Sequence, residues 1–415
     1  MTKCVLGDVA KRIQTGPFGS QLHQSDYSLS GTPVVMPKDL SDGTIVDATI
    51  ARVGPLHVER LARHKLKEGD LLFSRRGDVG RCALVRKEQE GWLCGTGCLR
   101  VELDVEKADY KYLYYFLRRD DVAKWLESHA VGAIMLNINP SIVSQLPIAL
   151  PPIDVQRNIA KVLSAIDRKI ALNRKRIATL EAMAKEIYDY WFVQFDFPDA
   201  HGRPYKSSGG AMVYNPDLKR EIPKGWEVKP LGELMKTNAS SYNERTLPSR
   251  IRYIDIAAVS NGVVSSKTEY DRDHAPGRAR RIAKRGDTIW SSVRPNLRAY
   301  ALVLNPQEDD VFSTGFTVLS PIDVPYGYLY LTVTAEAYVS YLISRTGNSA
   351  YPAVLPSAFG EYEIAVPPRD LLDRFADQVE GAFERRQNCF DEIQGQTSLR
   401  DFLLPLLMNG QVKVA

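Results

Sequence analysis

The second half of this chain repeats the first. Lys67-Glu68-Gly69-Asp70 returns as Lys284-Arg285-Gly286-Asp287, and Arg81 is answered by Arg298, both at an offset of 217. Gly95-Thr96-Gly97 matches Ser313-Thr314-Gly315, and Tyr112-Leu113-Tyr114 matches Tyr328-Leu329-Tyr330. Pro140-Ser141 pairs with Pro356-Ser357, and Ile148-Ala149-Leu150-Pro151-Pro152 with Ile364-Ala365-Val366-Pro367-Pro368, at an offset of 216. A register held across so many segments marks a duplicated structural unit. With 415 residues, the chain also exceeds what one core organises, so two or three units are expected.

Each half reads as a globular domain followed, after a Pro-Pro stop, by a helix. Before the stop, short runs rich in Val, Ile and Tyr alternate with turn residues such as Ser41-Asp42-Gly43 and Asn261-Gly262, and a helical stretch falls near 109–127. This is an α+β pattern. After the stop, Ile159, Leu163, Ile166, Ile170, Asn173, Ile177, Leu180, Ala184, Ile187 and Trp191 follow a 4,3 spacing. Such a heptad seam, polar only at Asn173, predicts a long coiled-coil helix. In the second half Leu372, Phe375, Val379, Ala382, Cys389 and Ile393 hold the seam, but Arg386, Gln396 and Arg400 interrupt it. The expected boundaries are 1–150 for the first domain, 151–198 for the first helix, 199–225 for a linker, 226–368 for the second domain and 369–415 for the second helix.

Connectivity dictates geometry. A helix of about 40 residues rising ~1.5 Å each carries the chain roughly 60 Å from one domain to the next. If the two half-apolar seams pair, the helices run antiparallel, with one domain at each end and an approximate two-fold axis between them. A molecule of that form suits a long, nearly two-fold partner, and duplex DNA is the obvious candidate.

Catalytic signatures are missing. No G-x-x-x-x-G-K-[ST] loop occurs, and the Gly-x-Gly at Gly95 and Gly97 lacks the third glycine and the following helix of a dinucleotide site. The Pro-Pro pairs lack the flanking residues of an amino-methyltransferase signature. The six histidines show no metal-binding spacing, and the five cysteines, an odd number without C-x-x-C, read as packed free thiols. Pro216-Asp217 followed by Glu227-Val228-Lys229 fits the P-D…E-x-K string of metal-dependent nucleases, so a nuclease using Asp217, Glu227 and Lys229 is the rival reading. The turn-rich sequence around it suits a linker better. No apolar run approaches the ~20 residues that cross a bilayer, and Met1-Thr2-Lys3-Cys4 leads straight into strand-like sequence, so a cytoplasmic protein is expected.

Charge points to binding. The net charge of +4 is small, but residues 60–87 carry nine Lys/Arg against three acids and residues 272–298 carry eight against two. These windows occupy equivalent places in the repeat. In the first, Phe73-Ser74-Arg75-Arg76-Gly77-Asp78-Val79-Gly80-Arg81 reads as a strand entering a hairpin loop; in the second, Trp290-Ser291-Ser292-Val293-Arg294-Pro295-Asn296-Leu297-Arg298 stands in its place. Arginine can fork onto guanine or hold phosphates. The candidate DNA contacts are therefore Lys38, Arg75, Arg76 and Arg81 in the first domain and Arg280, Arg281, Arg294 and Arg298 in the second. Unlike loops on like scaffolds imply two different half-sites. A DNA-binding protein acting alone would share these features.

The chain resembles the DNA-specificity subunit of type I restriction–modification enzymes along nearly its whole length. The resemblance is carried by Gly16-Pro17-Phe18-Gly19-Ser20, by Leu150-Pro151-Pro152 with Gln156, Ile159, Leu163 and Ile166-Asp167, and by Tyr188-Asp189-Tyr190-Trp191-Phe192-Val193-Gln194-Phe195-Asp196-Phe197-Pro198. Ser207-Ser208-Gly209-Gly210, Ile222-Pro223-Lys224-Gly225-Trp226 and Leu403-Leu404-Pro405-Leu406-Leu407-Met408-Asn409-Gly410 add to it. It implies two target-recognition domains separated by antiparallel helices, no catalysis in this subunit, and assembly with two methyltransferase subunits and with motor-endonuclease subunits. S-adenosylmethionine, ATP and Mg²⁺ would then belong to those partners. Tyr188, Tyr190, Phe192 and Phe195 at the end of the first helix, and Leu403 and Leu407 at the end of the second, are expected either to dock the methyltransferases or to pack on their own domains.

Overall fold

The computed structural model describes residues 2–132, 135–346 and 352–414. Contacts divide the chain into two units, residues 1–171 with 393–415 and residues 172–392. Both long helices therefore contribute to both units, instead of standing outside the domains as the sequence boundaries had them. The fold class is α+β.

In the first unit, Ala10–Thr15, Cys98–Leu103, Leu71–Ser74 and Cys82–Leu84 form a four-stranded antiparallel sheet in that order. A second sheet runs Leu93–Cys94, Thr32–Val35, Ala51–Val53, Tyr27–Ser28, with its first pair parallel. The second unit repeats the antiparallel sheet and three strands of the other, with the fourth at the opposite edge. Met235–Thr237, Phe316–Pro321, Thr288–Ser291 and Tyr300–Leu302 make the antiparallel sheet. Thr268–Asp271, Arg250–Ile254, Asp310–Ser313 and Ala279–Arg281 make the mixed one. The repeated Ile-Ala-Leu and Ile-Ala-Val segments are the strands Pro147–Leu150 and Glu363–Val366, which pair antiparallel with Thr2–Val5 and Glu227–Pro230. The repeated Tyr-Leu-Tyr segments start the short helices Tyr110–Leu117 and Tyr326–Thr334, whose aromatic faces fill the two cores.

The local chemistry of each repeat is conserved in space. Asp70 and Asp287 each close the turn ahead of the central strand, accepting from the Lys67 N–H at 2.9 Å and from the Lys284 N–H at 2.7 Å. Both carboxylates are buried, and burial raises their pKa values, that of Asp70 to about 6 against the pull of Arg100. Such turns depend on the Asp side chain satisfying backbone donors that the strand cannot.

The first long helix spans Ile153–Tyr188 and ends in a π-helical turn, Asp189–Val193. Its heptad seam is the buried stripe: Ile159, Leu163, Ile166, Ile170, Asn173, Ile177, Ala184 and Trp191 are all buried. The second runs Arg369–Met408. Within each unit the two helices pair antiparallel. In the first unit Arg400 meets Asp167 at 3.2 Å, while Leu407 and Met408 join the core that holds Ile159 and Leu163. In the second, Asn173 Nδ2 donates to Glu392 at 2.6 Å, Arg386 Nε to Glu181 at 2.5 Å, and the Tyr188 ring lies 6.3 Å from that of Phe375. Arg386 and Arg400 break the apolar repeat in sequence and complete the seam in space. A buried charge persists only when paired and hydrogen-bonded, and Arg386 Nη2 also donates to the Gly262 carbonyl at 2.7 Å.

Residues 199–225, expected as a linker, contain a hairpin: Met212–Asn215 and Arg220–Pro223 pair antiparallel, and Phe197 stacks on Tyr205 and Trp226. The aromatics at the first helix's end do not form an outward face. Tyr188, Trp191, Phe192, Phe195 and Phe197 are buried with Phe375, Tyr328 and Trp226 in the core of the second unit, and Leu407 is buried in that of the first. Leu403 is partly buried against the first core, and Tyr190 alone of the six keeps substantial exposure, 39%. Apolar area of this size is drawn inside wherever a neighbouring sheet can cover it.

Candidate nucleic-acid interface

Both predicted hairpins exist, and both loops are clamped the same way. At the start of each, the strand's last serine hydroxyl donates two residues onward, Ser74 Oγ to the Arg76 carbonyl at 3.0 Å and Ser291 Oγ to the Val293 carbonyl at 2.8 Å. The next N–H donates to a glycine carbonyl across the sheet, Arg75 to Gly97 and Ser292 to Gly315, both at 2.8 Å. From the other side, the Ile138 N–H donates to the Arg75 carbonyl at 3.0 Å and the Val354 N–H to the Ser292 carbonyl at 2.8 Å. Gly77 and Arg294 then donate to the Leu136 and Pro352 carbonyls. Gly95-Thr96-Gly97 and Ser313-Thr314-Gly315 are the anchors of these loops.

The loops differ by one residue. Ser74 pairs with Arg81 (N–H to carbonyl, 2.9 Å) and Ser291 with Ala299 (2.8 Å), so loop 75–81 corresponds to loop 292–299. Arg81 is thus register-matched to Ala299, and the equivalence with Arg298 read from the offset is corrected. The extra residue is absorbed by Arg294 and Arg298, both left-handed at φ 49° and 54°, each costing about 1 kcal/mol or more for a residue with a Cβ.

The arginines are not equally placed. Arg75 is half-buried, with its guanidinium 5.7 Å above the Phe18 ring and its Nε 3.3 Å from Asn137. Arg76 is exposed on the loop. Arg81 is exposed and pairs with Asp78 at 2.6 Å. Arg294 is exposed, and Arg298 pairs with Glu336 at 2.6 Å. Arg280 and Arg281 lie on the strand Ala279–Arg281 of the mixed sheet, beside Ser313, and Arg281 Nη1 donates to Ser241 Oγ at 3.0 Å. Lys38 is exposed in the turn Pro37–Asp39, whose Pro37 abuts Gly97. Hairpin and turn residues of each unit thus gather around the glycine anchor.

Sequence reasoning missed two apolar members. Phe18 is 55% exposed beside Arg75, and Leu297 is 58% exposed between Arg294 and Arg298. The signal for Phe18 was its flanking glycine: a Cβ at Gly16 would fall 2.0 Å from the Gly95 carbonyl oxygen, so only glycine lets this segment lie against the anchor. Leu297 offered no signal, since nothing in Pro295-Asn296-Leu297 fixes which side chain points out.

The residues of the nuclease-like string do not converge. Asp217 sits in a hairpin turn, while Glu227 Oε2 lies 2.6 Å from Lys229 Nζ as an exposed ion pair on one strand. Among the described residues no group of three or more His, Cys, Asp or Glu could hold a metal ion, and no helix is long and apolar enough to cross a membrane. The cysteines are free.

Residues 6–182 match the family model of the type I restriction modification DNA specificity domain. Over 402 residues the chain is 23% identical to the MjaIX type I restriction enzyme specificity subunit of Methanocaldococcus jannaschii, spanning 94% of this chain and 88% of the relative. It is 22% identical to the HindI specificity subunit of Haemophilus influenzae, spanning 85% and 88%. The crystal structure of a type I restriction–modification S subunit from M. genitalium shares the fold, with a TM-score of 0.63 at 17% identity over 98% of this chain and 95% of that one. Residues 6–182 thus carry the type I restriction modification DNA specificity domain, and the chain as a whole is similar to type I restriction–modification specificity subunits. A DNA-recognition role without catalysis is what this similarity supports, and nothing in these relatives supports a nuclease.

Proposed function

We propose that each unit reads one half of a bipartite, asymmetric duplex target, through loop 75–81 in the first and loop 292–299 in the second. One observation carries this: two loops of different length and chemistry, Arg75-Arg76-Gly77-Asp78 and Arg294-Pro295-Asn296-Leu297, are held by the same hydrogen bonds on the same scaffold. Rigid elements presenting variable loops are how one fold reads many sequences. Arg76 and Arg294, both exposed, are base or phosphate contacts, and Arg81 and Arg298 reach DNA by exchanging their carboxylate partners. Lys38, Arg280 and Arg281 flank them as backbone contacts.

In this reading the subunit works in the cytoplasm with two methyltransferase subunits and, for cleavage, motor-endonuclease subunits. These partners bring S-adenosylmethionine, ATP and Mg²⁺. The docking faces are what the helices leave uncovered: Met183, Tyr190 and Val193 in the second unit, Leu399 and Phe402 in the first. Met183 and Leu399 are equivalent at the 216 offset.

The test is to express the chain with its methyltransferase, map the methylated sequence, and repeat with residues 293–298 exchanged for those of a relative. The second half-site alone should change. Methylation at an unchanged sequence would refute the assignment of the loop.

A further inference from the structure

We infer that Leu297 is a specificity-determining residue that reads the 5-methyl group of a thymine in the second half-site. This rests on loop 292–299 being a DNA contact, and adds to it the chemical feature recognised.

The loop holds Leu297 out deliberately. Pro295 is buried, and its carbonyl accepts from the Arg298 N–H at 3.0 Å, while the Arg294 carbonyl accepts from the Leu297 N–H at 2.9 Å. Arg294 N–H is tied to the Pro352 carbonyl at 2.8 Å, the Arg298 carbonyl takes the Asn261 N–H at 2.9 Å, and the Arg298 side chain reaches Glu336 at 2.6 Å. Both ends of the turn are thus fixed in the left-handed conformation that arginine disfavours. Strain of this kind persists only where the surroundings over-determine it, and it gathers at functional positions. What it produces is a leucine 58% exposed at the loop's apex, between two arginines. The cores beside it bury leucines almost completely.

A β-hairpin fits the major groove, where each base pair shows hydrogen-bonding atoms and where the one apolar feature is the thymine methyl. An apolar apex beside a cationic residue matches that surface: Arg294 meets a phosphate or guanine, and Leu297 meets the methyl. The first loop has no such apex, since Arg76-Gly77-Asp78 is polar throughout.

The test uses the full chain and duplexes carrying its mapped target, with each thymine of the second half-site replaced in turn by deoxyuridine, which lacks only the methyl. Covering one methyl is worth about fourfold in affinity. At one position the wild-type chain should bind the uracil duplex about fourfold more weakly. Leu297→Ala should lose that discrimination by weakening on thymine alone, and Leu297→Met should keep it. Equal binding of all uracil duplexes, or discrimination surviving in Leu297→Ala, would overturn the inference while the loop assignment stands, provided Arg294→Ala still weakens binding. Should Arg294→Ala and Leu297→Ala both leave affinity untouched, the loop assignment and the inference fall together.

Discussion

Arg400 Nη1 lies 3.2 Å from Asp167 Oδ1, at the point where the second helix's apolar repeat breaks. Asp167 also accepts from the Tyr115 hydroxyl at 2.7 Å, so one carboxylate joins both long helices to a short one. With side chains only 12% and 15% exposed, removal of Asp167 leaves the nearly buried Arg400 with Asp401 alone and takes the carboxylate from the Tyr115 hydroxyl. Asp167→Ala should cost the first unit about 3 kcal/mol, whereas Asp167→Leu with Arg400→Leu should return to within about 1 kcal/mol of wild type. Amide exchange of residues 393–408 under urea measures both; equal losses in the single and double variants would contradict the pairing.

Burial of the first helix's end separates packing from docking. Phe192→Asp places a charge among Phe375, Tyr328 and Trp226 and should unfold the second unit, a loss of at least 3 kcal/mol. Tyr190→Asp, two residues away and exposed, should leave the melting temperature within a degree or two while weakening co-purification with the methyltransferase. If Phe192→Asp melts like wild type, the core assignment is wrong.

His64 makes the first unit sensitive to acid. It is buried, and burial, reinforced by Arg63 and Arg100, pushes its pKa down to about 4. The folded ring stays neutral where the unfolded one, near 6.5, takes a proton, so its contribution is complete above 6.5 and drains away as pH falls toward 4. Asp70 runs the other way: its raised value, about 6, adds stability as pH falls through 6. The two offset each other in wild type. His64→Gln should therefore gain on wild type by up to about 2 kcal/mol between pH 7 and pH 5. Parallel urea midpoints for the two proteins across that range would exclude this.

Gly262 is left-handed at φ 84°, and a Cβ there would fall 2.6 Å from Arg386 Nη2 and 2.7 Å from the Tyr330 hydroxyl. Gly225, at φ 91°, faces open space. Gly225→Ala should cost only the backbone penalty, about 1–2 kcal/mol, and Gly262→Ala at least twice that, because Arg386 must leave Glu181 or the Gly262 carbonyl. Thermal unfolding of the two variants ranks them.

The duplication, the α+β class and the first helix's seam were legible because each writes itself locally, in offsets and in 3.5-residue spacing. Eight of the ten seam positions from Ile159 to Trp191 are buried, and Leu180 and Ile187 are half-buried. Arg386 and Arg400 could not be understood that way, since their carboxylates lie some two hundred positions upstream and no local pattern joins them. A matching offset disguised the extra loop residue, because Arg298 stands where an arginine was sought. Composition likewise could not say whether Phe192 faced a partner or its own sheet; only the fold of residues 326–334 and 369–383 decides what covers it. The basic hairpins were legible as scaffold plus charge, whereas Leu297 depends on two backbone angles that no residue type announces.

The division of the chain has a consequence for how it is made. Leu407 and Met408 close the core that Leu6, Ile159 and Leu163 begin, yet residues 172–392 are translated in between. At about 5–20 residues per second, the first unit waits roughly 10–40 s on the ribosome with its apolar floor uncovered. The second unit, read out in one stretch, can finish first, so the usual N-to-C order of completion is reversed. A nascent chain stopped before residue 400 would carry one finished reading head and one that cannot shut, a difference that proteases and chaperones would sense before any DNA did.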